Sequence, residues 1–308
     1  MKRKIIKLGS STLVVSLPNH WAKKNELRQG DQINIIEGYN NELFVYNEKN
    51  KNDKNEFIID LNKITKKNIK IILTHIYRLN YNKIKIENIK NKDIEEIKKI
   101  TQNLLLGFEI TSQNKSSCTI ENIAEPNKEK YNILFRKTFL IVKEIQNIIL
   151  DDIEKNKYNN LLTISNLKDQ QDKFVFYCKR TMIIQSHSKT LFEWELLKNI
   201  MLISHSYYYL YEYLSKNKFE NDKNFILHFK ELINYFELFY EAYFNKKINN
   251  IDQINKLKDE LHQKKTIELM NKGKNIVLYS YIRETFRLIQ ISTSPIQSIL
   301  LSKTDFEY

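Results

Sequence analysis

Glycine and proline almost disappear from the second part of this 308-residue chain. Beyond Asn127 only Gly273 and Pro295 interrupt the sequence. Apolar residues recur there at spacings of three and four, which is typical of helices that bury one face. The spacing predicts six helices with short polar connections, at roughly 127–157, 160–187, 189–216, 220–247, 250–271 and 274–302. Long helices with short connections predict antiparallel neighbours, packed as one or two bundles.

The first fifty residues follow a different pattern. The run from Lys4 to Pro18 predicts two short strands around Gly9, followed by a helix with Pro18 at its first position. After a Gly30-Asp31 turn, residues 32–36 and 42–46 predict two further strands. A unit this small buries too little surface to be stable alone. We therefore expect it to pair with a second copy as an intertwined dimeric β-barrel.

A polar segment separates these two regions from each other. Residues 47–56 contain no apolar side chain, which predicts a linker or a long loop. Beyond it, helical spacing at 64–79 and 92–105 is combined with alternation at 83–87, 107–111 and 118–121. Two helices and three strands predict a small α/β connector. The expected fold is therefore α+β and multidomain, with domains at 1–48, 57–125 and 126–308.

Composition excludes several classes of function. Cys118 and Cys178 lie far apart without a CxxC partner, which argues against a disulfide scaffold or zinc ribbon and favours a reducing compartment. No apolar run reaches the ~18 residues of a membrane span, so we expect a cytoplasmic protein without membrane insertion. Five glycines and the absence of a GxSxG or phosphate-binding loop motif give no support for an enzyme or a bound cofactor.

Positive charge is concentrated at the N-terminus. The chain carries a formal net charge of +13. Residues 1–28 contribute seven lysines and arginines against one acid, Glu26. Basic residues grouped in this way bind DNA phosphates with little sequence information, and turn hydroxyls can add donors. The candidate DNA-binding residues are Lys2, Arg3, Lys4, Lys7, Ser10, Ser11, Thr12, Lys23, Lys24 and Arg28. We expect Lys2, Arg3, Lys4 and Lys7 to lie on the first strand. A solvated basic start of a dimerisation module is the alternative interpretation.

The N-terminal pattern also resembles a known family. The run K-L-G-S-S-T-L-V-V-S-L-P-x-x-W-A-x-x-x-x-L-x-x-G-D, from Lys7 to Asp31, is similar to the AbrB/SpoVT family of swapped-hairpin DNA-binding domains. The resemblance covers residues 1 to about 48. It implies that two chains interlock their hairpins and present basic residues to double-stranded DNA.

The six predicted helices resemble a second family, PhoU, in the archaeal arrangement that joins an AbrB-type domain to PhoU-like helices. The best local matches are residues 168–177 and 197–205. The resemblance implies two three-helix bundles and a negative regulator of phosphate uptake. It also implies metal-binding acid pairs, but Lys168 stands where the first acid of one pair belongs. We therefore predict no metal site, and Asp172 and His205 are only weak candidates for one.

Together these features predict a DNA-binding transcriptional regulator, of phosphate uptake by the second resemblance, with a helical sensor or adaptor domain. Its expected partners are double-stranded DNA, a second copy bound through the N-terminal domain, and a phosphate-transport or signalling protein. One alternative is an adaptor that docks onto other proteins and uses the barrel only to dimerise. Another is an antitoxin, whose C-terminal segment wraps a toxin, although the long helical region argues against it.

Overall fold

The computed structural model describes residues 2–9, 11–37, 43–47, 56–64, 68–124, 126–184, 189–217, 219, 222–273 and 275–302. Internal contacts divide the chain into two compact units, Met1–Asn55 and Glu56–Tyr308. The division falls within the polar segment 47–56. The boundary predicted at residue 126 stays a prediction.

The first unit consists of two hairpins and one short helix. Its elements are β1 (Ile5–Leu8), β2 (Thr12–Val15), α1 (Asn19–Lys24), β3 (Asn34–Glu37) and β4 (Leu43–Tyr46). Strand β1 pairs with β2, and β3 pairs with β4, both antiparallel. Gly9 lies between the first two strands at a φ of +70°, a value that glycine adopts without steric cost. The predicted four strands and one helix are confirmed, except that Pro18 caps α1 from outside instead of opening it.

The second unit begins with a four-stranded sheet. Its elements are β5 (Glu56–Asp60), α2 (Ile69–Arg78), β6 (Lys83–Glu87), α3 (Asn91–Leu104), β7 (Phe108–Gln113) and β8 (Ser117–Asn122). The strand order is β5-β6-β8-β7, with β5 and β6 parallel and the other pairs antiparallel. The sequence predicted three of these strands and missed β5. A parallel strand with a short apolar run lacks the alternation that reveals β6.

Helices form the rest of the second unit. They are α4 (Lys128–Lys155), α5 (Leu161–Ile184), α6 (Thr190–Lys216), α7 (Lys223–Phe244), α8 (Asn249–Leu257), α9 (Thr266–Asn271), α10 (Ile276–Ile291) and α11 (Thr293–Leu301). The first four of the six predicted segments are single helices. The other two are interrupted, the fifth by a π-helical stretch at Lys258–Lys265 and the sixth at Ser292.

The break at Ser292 has a local cause in the sequence. Pro295 has no N–H to donate to the carbonyl of Ile291, and its ring would collide with that carbonyl. Helix α10 accordingly ends at Ile291, and Pro295 lies in the first turn of α11, where a backbone N–H has no helical partner to lose.

The helices pack in two groups that share neighbours. Helices α4, α5 and α6 contact one another. Helix α7 contacts α4, α8 and α10, and α6 also packs against α10 and α11. The arrangement as two three-helix bundles of the PhoU type stays a prediction. Among the residues that the structure describes, no helix is both long and apolar enough to cross a membrane.

A buried arginine joins the helices to the sheet. Arg180 on α5 is 1% exposed. Its guanidinium donates hydrogen bonds to the carbonyls of Tyr77 at 2.8 Å and Tyr81 at 3.0 Å, and to Asn82 Oδ1 at 2.7 Å. These acceptors lie in the last turn of α2 and in the connection from α2 to β6, so Arg180 fixes this connection against α5.

Candidate nucleic-acid interface

The β1–β2 hairpin has apolar side chains on both faces. Opposed residues on neighbouring strands share a face, and successive residues alternate between faces. From the register, one face carries Ile5, Lys7, Leu13 and Val15, and the other carries Ile6, Leu8, Thr12 and Val14. The exposed fractions of Ile5, Ile6, Leu8, Leu13 and Val15 lie between 54% and 69%. An isolated chain therefore leaves both faces of this hairpin in water.

The short helix α1 ends in a motif that fixes the chain after it. The backbone N–H of Leu27 donates to the carbonyl of Ala22 at 3.0 Å. The backbone N–H of Glu26 donates to the carbonyl of Lys23 at 3.1 Å. This pair of bonds is the Schellman arrangement, in which the residue after the cap adopts left-handed φ. Glu26 occupies that position at a φ of +51°, where glycine is usual. The motif orients the last turn of α1, which carries Lys23 and Lys24.

A side-chain bond connects this helix end to the second hairpin. Asn47 follows β4, is 4% exposed, and donates from Nδ2 to the carbonyl of Asn25 at 3.0 Å. Asn25 in turn donates from Nδ2 to the carbonyl of Trp21 at 2.8 Å. The end of α1 is therefore held against the end of β4, which positions its two lysines within the unit.

The structure locates nine of the ten predicted DNA-binding residues, and all nine are exposed. Lys23 and Lys24 close α1, and Arg28 follows it in a turn where its backbone N–H donates to Asp31 Oδ2 at 2.8 Å. Ser11 and Thr12 lie at the hairpin turn and at the first position of β2. Ser10 lies outside the described residues.

The prediction that the first four basic residues all lie on strand β1 is wrong for three of them. Strand β1 begins at Ile5, so Lys2, Arg3 and Lys4 precede it and only Lys7 lies on it. The ladder ends at the Ile5–Val15 pair, and Pro18 then directs the chain into α1. Pairing continued in the same register would oppose Lys2 to Pro18, which has no N–H to donate.

The basic side chains of this unit are exposed to solvent. Among the described residues, no salt bridge includes any of the seven lysines and arginines of residues 1–28. Lys23 and Lys24 lie at the negative end of the α1 dipole, which favours cations there. Exposed cations without carboxylate partners remain able to pair with phosphate.

Asp172 and His205, the weak candidates for metal ligands, lie within hydrogen-bond distance of each other. His205 Nε2 lies 3.0 Å from Asp172 Oδ1, and the Asp172 carboxylate is buried between α5 and α6. Lys168 Nζ lies 2.6 Å from Asp169 instead of Asp172. In the described part of the chain, no three His, Cys, Asp or Glu side chains are grouped as metal ligands. The pair is a histidine–carboxylate hydrogen bond across two helices.

One set of side chains has the spacing of a nucleophile, a base and an acid. His228 Nε2 lies 2.8 Å from Thr266 Oγ1, and His228 Nδ1 lies 2.8 Å from Glu231 Oε2. Thr266 is fully buried, and its hydroxyl donates to the carbonyl of Leu261 at 2.6 Å. Burial lowers the pKa of His228. The Thr266 hydroxyl already donates to a backbone carbonyl and is shielded from solvent. We therefore interpret the three side chains as stabilising the π-helical stretch.

Two features of the candidate interface could not be predicted from the sequence. The open apolar faces of the hairpin follow from its register and burial, which no local pattern reveals. The Schellman motif uses Glu26, and its usual signal is a glycine at that position. The chain has Asn25-Glu26-Leu27 there, so no local signal marked the end of α1.

Comparison with known proteins identifies the first unit only. Residues 6–53 match the family model described as antidote-toxin recognition MazE, bacterial antitoxin. The match lies within the unit of two hairpins and α1, and it confirms an N-terminal AbrB-like domain. No curated protein and no solved structure matches the chain.

Proposed function

We propose that this chain is a DNA-binding regulator that acts as a dimer through its first unit. The observation that carries the proposal is a small unit with apolar side chains open on both hairpin faces and seven exposed basic residues, none of which forms a salt bridge with another described residue. The match of residues 6–53 to an antitoxin family supports the same assignment. The proposal assigns no catalytic activity to the chain.

Dimerisation follows from the hairpin. A two-stranded hairpin is marginally stable in water and needs a further apolar surface to cover it. Helix α1 contributes no buried residue to the unit. A second copy offers the same apolar side chains, and interlocked hairpins would cover these side chains. Two copies would also double the basic groups, which strengthens phosphate binding.

The test is a DNA-binding measurement on a charge-reversed variant. Lys4→Glu combined with Lys7→Glu should reduce affinity for DNA from upstream of the chain's own gene by about tenfold or more, because two phosphate contacts become repulsive. Wild-type affinity should also fall steeply as salt rises, since counterions are released on binding. Fluorescence anisotropy with labelled duplex measures both effects.

The control must change net charge equally at residues outside the first unit. Lys92 and Lys99 are exposed on α3 in the second unit. The double variant Lys92→Glu and Lys99→Glu should bind DNA nearly as the wild type does. Sedimentation must show that both variants stay dimeric. Equal DNA binding by the two double variants would refute the assignment of the first unit.

The helical region extends the proposal to a regulated process. Its resemblance to the PhoU family supports a sensor or adaptor role, with phosphate uptake as the process and a transport or signalling protein as a further partner. If so, phosphate supply should alter transcription of neighbouring transport genes in the wild type but not after deletion of this gene. The same response in both strains would remove phosphate from the proposal.

The family match favours a second candidate, an antitoxin. The name of that family refers to antidote-toxin recognition. In this chain the match is followed by a second compact unit that consists of a sheet and a long helical region, whereas an antitoxin tail that wraps a toxin orders on binding. Growth assays distinguish the two functions. A neighbouring gene that stops growth when expressed alone, and is neutralised by co-expression of this chain, would establish the antitoxin.

A further inference from the structure

A cleft opens in the second unit where three helices come together. It lies between the start of α4, the start of α6 and the end of α7, and its volume is about 370 Å³. Clefts of this size are typical of sites for small molecules. Four aromatic side chains and one acid line it, namely Tyr131, Phe135, Tyr243, Phe244 and Glu193. The cleft therefore combines aromatic walls with a carboxylate.

Two of these aromatic residues hold the carboxylate in place. Glu193 is 8% exposed. The hydroxyl of Tyr131 donates to Glu193 Oε2 at 2.7 Å, and the hydroxyl of Tyr243 donates to Glu193 Oε1 at 3.3 Å. Burial and the charge of Glu193 raise the pKa of both phenols, so they stay protonated at neutral pH. The phenols orient the carboxylate but add no positive charge to the cleft.

Packing between the rings fixes the walls of the cleft. The ring of Tyr243 stacks on that of Phe135 with centres 5.3 Å apart, and the Phe244 ring meets it edge-on at 4.8 Å. The faces of aromatic rings attract cations, and the attraction is stronger where water is excluded. A carboxylate in the same place adds to it, because charges interact more strongly at low dielectric. Both components of the cleft therefore favour a positive charge.

The second charged residue of the cleft is Arg136, at its solvent side. Arg136 is exposed, and its Nε donates to the hydroxyl of Tyr240 at 3.0 Å. Its guanidinium lies 5.4 Å from the centre of the Phe244 ring. Among the described residues Arg136 forms no salt bridge. The guanidinium is therefore held against α7 and is not paired with Glu193.

We propose that this cleft binds a small organic cation, an ammonium group attached to an apolar body, with Glu193 as its counter-charge. The rings of Tyr131, Phe135 and Tyr243 would surround the apolar body. Metal ions such as Ca²⁺ need several oxygen ligands, whereas one carboxylate among aromatic rings suits an organic ammonium ion. The inference concerns the second unit alone and does not depend on DNA binding by the first.

Three probes with the same aromatic ring and different charges test the proposal. Benzylammonium is a cation at pH 7, benzyl alcohol is neutral and benzoate is an anion. Each is titrated into the full chain at constant ionic strength, and binding is followed by ligand-observed NMR. We expect saturable binding of benzylammonium with a Kd near or below about 1 mM, and at least about tenfold weaker binding of the other two.

Two substitutions of opposite charge locate the ligand in the cleft. Glu193→Gln keeps an acceptor for the phenols but removes the charge, and it should weaken benzylammonium binding at least about tenfold. Arg136→Gln changes an exposed side chain, and it should bind benzylammonium at least as tightly as the wild type does, because a like charge leaves the cleft. Weaker binding by Arg136→Gln would show that the ligand needs a negative group.

The matched control is another buried carboxylate that accepts from a tyrosine. Asp152 in the last turn of α4 is 4% exposed and accepts from the hydroxyl of Tyr211. Asp152→Asn removes the same charge as Glu193→Gln and should bind benzylammonium normally. Circular dichroism must show that each variant is folded. The proposal is overturned if benzylammonium does not saturate, if benzyl alcohol or benzoate binds as tightly, if Glu193→Gln binds as the wild type does, or if Arg136→Gln binds more weakly.

Discussion

Replacement of Lys179 by methionine should make the protein more stable at neutral pH, although it removes a buried side chain. The pKa of this lysine falls from its ordinary value of 10.5 to about 8, first because of burial and then because of Arg78 and Lys198. At about 1.4 kcal/mol per pH unit, that change corresponds to a cost of roughly 3 kcal/mol for holding the ammonium in the folded state. Methionine has a similar length and carries no charge.

Part of this gain is offset by the lost contact with the Trp194 ring of α6, whose centre lies 4.8 Å from the Lys179 Nζ. A desolvated cation–π pair contributes on the order of 1 kcal/mol. The net expectation is therefore a gain of about 2 kcal/mol in the free energy of unfolding at pH 7. Between pH 8 and 10.5 the unfolded chain binds the lysine proton more tightly than the folded chain, so wild-type stability rises relative to the variant. The advantage of the variant should shrink across this window.

Denaturant unfolding of the full chain, followed by far-UV circular dichroism, measures the difference at pH 7 and pH 10. Comparison of variant with wild type cancels the titration of tyrosines common to both. Lys143→Met is the control, because it leaves Glu237 without its cation and should lower stability at pH 7. A Lys179→Met protein that is destabilised at pH 7, or whose advantage is the same at both pH values, would refute the reasoning.

Three further substitutions test the fold. Leu13→Ala should weaken self-association by about tenfold or more, since a large-to-small change in a buried interface costs roughly 2–5 kcal/mol; unchanged sedimentation equilibrium would mean that the hairpin is not the interface. Glu26→Gly should stabilise the first unit by about 1 kcal/mol, because glycine accepts the left-handed φ; a lower melting midpoint followed by Trp21 fluorescence would contradict this. Arg180→Met should destabilise the second unit by about 3 kcal/mol or more, since three acceptors lose their donor; near wild-type stability in urea would show that water replaces the guanidinium.

Local sequence patterns predicted most of the secondary structure. The run without glycine or proline from 127 onward became a series of helices, with α4 and α6 close to their predicted bounds. Alternation at 83–87 became β6, with its even-numbered residues Ile84 and Ile86 buried. These predictions succeeded because periodicity of apolar residues records which face of an element is buried.

Other elements depended on distant contacts. Strand β5 exists because β6 offers a parallel partner, which a short apolar run cannot reveal. The π-helical stretch depends on Thr266, whose hydroxyl bonds both the Leu261 carbonyl and His228 on α7. A helical period in sequence does not distinguish α from π winding over eight residues. The tertiary hydrogen bond between Thr266 and His228 helps to determine which winding forms.

The candidate DNA interface was also predicted in part from sequence, and the structure added the rest. Charge concentration and the family resemblance of the run from Lys7 to Asp31 predict from sequence that the interface lies in the first unit. Exposure of Lys23, Lys24 and Arg28 agrees with the prediction that they are available for phosphate. Contact of these residues with DNA stays a prediction.

The sequence alone determined most of the helices and strands and the concentration of basic residues at the N-terminus, because periodicity and charge are properties of neighbouring residues. Tertiary structure alone buried Lys179 of α5 against the Trp194 ring of α6. It also left both faces of the β1–β2 hairpin uncovered within one chain. Burial, and the electrostatic cost it imposes on a charge, depends on what packs around a side chain and cannot be read from its neighbours in sequence.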